Sequence, residues 1–68
     1  MTVIDRSAIT EHYRATAQWL RDWAEGYDTG LSQHHTDGVD DSKLIASMLR
    51  HKAGNIEALI NAYERLSR

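Results

Sequence analysis

The sequence predicts an all-α fold: two long amphipathic helices joined as an antiparallel hairpin, with two hairpins dimerising into a four-helix bundle. Three observations carry this. Apolar residues recur at alternating steps of four and three through two long segments. A single stretch rich in Gly, Asp, Ser and His, residues 29–39, divides them. Proline and phenylalanine are absent from the 68 residues, while alanine and leucine fill the periodic segments. The whole chain, 1–68, is one domain.

The first helix spans about 7–28. Within ITEHYRATAQWLRDWAEGY, the positions Ile9, Tyr13, Thr16, Leu20, Trp23 and Tyr27 form a heptad seam, flanked by the small residues Ala17 and Ala24. Ser7 or Asp5 can cap its start with a side-chain oxygen. Gly26 or Gly30 can end it, and a stop between Tyr27 and Gly30 keeps Tyr27 in the seam.

The connection, about 29–39, reads as a polar loop. With Asp40 as N-cap of the second helix, Val39 and Leu44 stand where a hydrophobic staple belongs, and Asp41 and Ser42 fall in the first turn. Much of the aspartate cluster in SQHHTDGVDDSK is thereby explained by helix initiation. The second helix, about 41–67, repeats the seam through Ile45, Leu49, Lys52, Ile56, Leu59, Tyr63 and Leu66, with Met48 and Ile60 widening it. Lys52 alone interrupts the apolar line, where it can snorkel, stack on Trp19 or Trp23, or fix register at some cost in stability. Gly54 marks a close approach or a mild bend.

Antiparallel pairing outward from the loop sets Trp23 near Leu49, Leu20 near Lys52 and Tyr13 near Leu59. A chain this short buries only about 60% of its unfolded surface, and two helices cannot cover stripes so wide. Trp19, Met48 and Ile60 would stay wet, which is the ground for expecting a homodimer. The expected core and dimer positions are Ile9, Tyr13, Leu20, Ile45, Met48, Leu49, Ile56, Leu59, Ile60 and Tyr63.

Composition narrows the function. The chain has no cysteine, so disulfides and thiolate metal sites are excluded. Eight Lys and Arg against ten Asp and Glu give a net charge of -2, spread along the chain, and leave no basic field for a phosphate backbone. Nucleic acid is therefore an unfavoured partner. No apolar run reaches the eighteen or so residues of a membrane span and no signal-peptide pattern opens the sequence, so a cytoplasmic protein is expected. His34, His35 and Asp37 offer metal-type donors, but adjacent side chains in a loop diverge and no helical His-x-x-x-His pair completes a site, so no metal or other cofactor is expected. No nucleophile beside an oriented base and no phosphate loop suggests an enzyme.

What remains is function by contact. Trp19, Trp23 and Tyr27 suit either a dimer core or, in an inhibitor, the hydrophobic anchors for a larger protein, with His34, His35, Asp37, Arg50 and His51 as its polar contacts. His35 and Arg50 are expected to be removable without loss of stability.

In size and layout, the two segments ITEHYRATAQWLRDWAEGY and DSKLIASMLRHKAGNIEALINAY resemble the small helical-hairpin proteins with which bacteriophages disarm host proteins, particularly the quorum-sensing anti-activator family. That resemblance implies an inhibitor that binds a transcriptional regulator, in a family whose members also act on pilus machinery. It brings no assignment of individual residues. Two alternatives stand beside it: a structural or oligomerisation adaptor of a phage or bacterial assembly, and a small DNA-binding regulator.

Overall fold

In the computed structural model, which describes residues 6–66, the chain forms α1 (Arg6–Thr29), β1 (His35–Thr36), β2 (Val39–Asp40) and α2 (Ser42–Leu66). The helices pack against each other as a hairpin. Asp5, an expected cap, and residues 67–68 lie outside the described residues. Ser7 stands inside α1, where its carbonyl accepts the Thr10 hydroxyl at 3.0 Å. Among the described residues no helix is long and apolar enough to cross a membrane.

The helix interface differs from the expected seam. Its buried positions are Thr10, Ala17 and Ala24 on α1 and Ala46, Ala53 and Ile60 on α2, each set recurring every seven residues. Leu20 joins them, with Leu49 and Ile56 half-buried against the Ala17–Leu20–Ala53 cluster. Among the described residues no large side chain is fully buried. The reason is steric. Alanine lets two backbones approach closely along their whole length, and in that arrangement bulky residues fit only beside the line of contact.

Of the expected core and dimer positions, Leu20 and Ile60 are buried, and Ile9, Ile45, Leu49 and Ile56 are half-buried. Tyr13, Met48, Leu59 and Tyr63 are exposed in the hairpin. Ile60 is thus not a wet position, and Lys52 is exposed rather than set into the helix interface.

Three ion pairs tie α1 to α2: Arg14 with Glu64 at 2.6 Å, Arg21 with Glu57, and Asp28 with Arg50. They recur every seven residues on both helices in opposite order, as an antiparallel pair requires. This register slides the helices nearly two turns from the expected one, bringing Arg21 to Glu57 where Leu20 was expected beside Lys52.

The connection is not a plain loop. Gly30, at φ 84°, stops α1 in the left-handed region, and the Ser32 amide reaches back to the Gly26 carbonyl at 3.0 Å. β1 and β2 then pair antiparallel, His35 opposite Asp40 and Thr36 opposite Val39. Asp37 and Gly38 join them with φ of 51° and 81°, the two positive values that a tight hairpin turn of the primed kind demands.

Close helix contact makes a specific prediction. Ala53→Leu should lower the free energy of unfolding by about 1–3 kcal/mol, since extra methylenes in a filled contact force the backbones apart. Ala58→Leu, at an exposed position of the same helix, should leave it nearly unchanged. Urea unfolding of both variants checks this.

Candidate functional site

Successive helical residues advance by about 100°, so each helix has two flanks beside its buried line. The ion pairs join one flank of α1 to one flank of α2. The other two flanks must then also lie side by side. On α1 that second flank carries Tyr13, Thr16, Trp19, Trp23 and Tyr27; on α2 it carries Ile45, Met48, Ile56, Leu59, Tyr63 and Leu66. Every exposed large apolar side chain of the described helices except Leu44 falls here. From residue 7 to the end of α1 and along α2, Lys52 is the sole Lys, Arg, Asp or Glu on this side.

The two stripes read as facing seams are therefore neighbours on one surface. Trp19 and Trp23 are 59% and 42% exposed. Their rings lie 5.1 Å apart, and Trp23 lies 6.3 Å from Tyr27, forming a tilted aromatic ladder of successive turns.

The polar residues expected to accompany the anchors are placed elsewhere. Arg50 and its ion pair with Asp28 sit on the opposite flank, where Arg50 bridges the two helices. Its removal thus deletes an exposed interhelical contact. His51 is exposed on the outer side of α2. Asp37 occupies the tight turn, and His35 is exposed in β1. The eight expected contact residues do not converge on one patch.

His34 serves the entry of α2. Its Nδ1 lies 2.6 Å from Asp41 Oδ1, while Asp41 Oδ2 accepts the Thr36 hydroxyl at 2.9 Å. The His34 amide donates to Ser42 Oγ at 2.9 Å, and the His34 carbonyl accepts the Asp41 amide at 3.0 Å. Helical bonding begins at Asp41, whose carbonyl accepts the Ile45 amide. The expected cap Asp40 still contributes, since its Oδ1 accepts the Ser42 amide at 2.9 Å. Val39 and Leu44, the expected staple pair, are both exposed.

These contacts explain the electrostatics. Hydrogen bonding to the side chain and amide of Ser42 holds the Asp40 carboxyl below the usual carboxylate range. Hydrogen bonding from His34 does the same for Asp41, against partial burial and with help from Thr36. Although Ser42, His34 and Asp41 are residue types of a nucleophilic relay, the Ser42 hydroxyl bonds the His34 backbone, not its ring. Among the described residues no group of three or more His, Cys, Asp or Glu is arranged to hold a metal ion. Tyr27, Asp28, Gln33, Asp40 and Leu44 rim an open depression at this end of the hairpin.

No known protein family, curated protein or solved structure matches the chain.

The signal for the ion pairs is visible in retrospect: Arg14, Arg21 and Asp28 on one segment and Arg50, Glu57 and Glu64 on the other, each spaced by seven.

The depressed carboxyls fix the sign of a pH effect. A carboxyl whose folded pKa lies below its unfolded value, about 3.9 for aspartate, stabilises the fold above that value. The contribution is lost as pH falls through the folded pKa. Asp41→Ala should therefore be less stable than the parent at pH 7, and the gap should narrow as pH drops below about 4. Urea midpoints measured from pH 7 to pH 2.5 test this, and a gap that widened on acidification would contradict it.

Proposed function

We propose that this chain is a small protein-interaction module that works as a homodimer, two hairpins closing into a four-helix bundle. In this reading it acts in the cytoplasm by binding a larger bacterial protein, as an inhibitor or anti-activator of the kind that occupies a transcriptional regulator. The observation that supports it is the continuous apolar flank, free of carboxylates and interrupted by one ammonium. A low density of charge with clustered Trp, Tyr and Met is the composition of buried protein contacts.

Area supports the same reading. The chain of 68 residues exposes 5467 Å² in all, whereas a compact monomer of 7.8 kDa exposes about 4,400 Å². The difference, roughly 1,000 Å², is of the order of one partner's share of a standard interface, about 800 Å². The radius of gyration, 15.7 Å, likewise exceeds the roughly 11 Å of a compact domain of this length. A hairpin whose buried line is mostly alanine gains little from its own core and much from covering this flank.

Sedimentation equilibrium at micromolar concentration should give twice the chain mass, and the unfolding midpoint should rise with protein concentration. A well-folded monomer with a concentration-independent midpoint removes the homodimer. For the larger partner, affinity capture from nuclease-treated bacterial lysate should return one stoichiometric protein, and dependence on nucleic acid would instead favour a DNA-binding regulator.

A further inference from the structure

Resting on the homodimer reading, we infer that the second copy docks on the flank of Trp23, Met48 and Leu59, with its two-fold axis parallel to the helices and both β-hairpin tips at one end. The occupant follows from the composition and extent of the surface. The flank runs across both helices and presents no array of charges for an acidic or basic ligand to read, and the chain as a whole exposes roughly 1,000 Å² more than a compact monomer of its mass, about the share that one copy buries in a standard dimer. Its opposite flank spends its charges internally, in the pairs of Arg14, Arg21 and Arg50 with Glu64, Glu57 and Asp28.

Lys52 selects the orientation. An ammonium carried into an apolar interface needs an acceptor or an aromatic face. With the axis parallel to the helices, α2 of one copy packs on α1 of the other and heights along the bundle are preserved. The ion-pair register puts Lys52 about level with residues 25–27 of α1, because Arg50 meets Asp28 and Glu57 meets Arg21. Across that interface Lys52 meets the partner's Trp23 and the partner's Tyr27, members of the stacked ladder whose faces suit a cation. With the axis perpendicular to the helices, α2 packs on its own copy. Lys52 then falls in the row of Met48, Leu49, Ile56, Leu59 and Tyr63, where the partner's Tyr63 offers it a single ring in place of the ladder of Trp23 and Tyr27.

Two measurements on the full chain test this. The sequence lacks cysteine, so Gln33→Cys, at an exposed position beside the β-hairpin, places a single spin label at the tip end of each copy. Double electron–electron resonance on the dimer should give a distance well under the 51 Å length of the hairpin; a distance near or beyond that length overturns the orientation. Leu59→Glu alters a residue that is 71% exposed in the hairpin, and should raise the dimer dissociation constant at least about tenfold by forcing a carboxylate into the contact. Glu25→Ala, on the other side of α1, should leave it unchanged. A dimer that tolerates Leu59→Glu overturns the assigned flank while leaving the homodimer itself standing. A parent protein that is monomeric throughout instead removes the homodimer reading on which the assignment rests.

Discussion

The structure depends on how closely two helices can approach. Thr10, Ala17 and Ala24 return to the same line on α1 every seven residues, as Ala46, Ala53 and Ile60 do on α2. Small side chains at these positions bring the backbones together, and everything else is arranged around that contact. The larger residues Leu20, Leu49 and Ile56 lean against it from the side. Tyr13, Trp23, Leu59 and Tyr63 are pushed out onto a flank. A seam of leucines would have enclosed more apolar area inside one hairpin and left less outside it.

Close contact leaves one degree of freedom, sliding of one helix along the other by a heptad, which small side chains resist poorly. The ion pairs remove it through their signs. In the observed register all three are favourable. A slip of one heptad in either direction would put Arg21 against Arg50, or Asp28 against Glu57. Each exposed pair is worth only about 0.2–1 kcal/mol, so their importance is in specifying one alignment among nearly equal ones. Asp28 with Arg50 carries most of that information, because it inverts the polarity of the other two.

Two helices, their antiparallel return and their approximate limits were legible in the periodicity and in the Gly-rich break. The interface and register were not. Tyr13, Trp23 and Leu59 each offer far more apolar area than Ala17 and Ala53, so a periodicity search settles on the wide outer stripe instead of the narrow contact line beside it. Both recur every seven residues, and only steric fit between the helices distinguishes them. The tip was partly legible. Asp40 was read as a cap and does accept the Ser42 amide. The Asp37-Gly38 pair, whose positive φ values permit the two-residue reversal, sits between strands of two residues each, too short to show alternation. Trp19, Trp23 and Tyr27 stand out in the sequence, but their separation from Arg50 and His51 depends on a helical phase that the expected seam does not give.

The tip also orders events in time. Residues 34–42 hold one another through contacts fewer than ten positions apart along the chain, so this unit can form before the helices meet. Asp28 and Arg50, separated by 22 positions, are the next to come within reach. Arg21 with Glu57 and Arg14 with Glu64 close successively larger loops, each at greater entropic cost unless the previous pair has formed. Loop-closure entropy thus favours assembly from the turn toward the open end. Changes near the tip act chiefly on the rate at which the fold is gained, and changes near Arg14 and Glu64 on the rate at which it is lost.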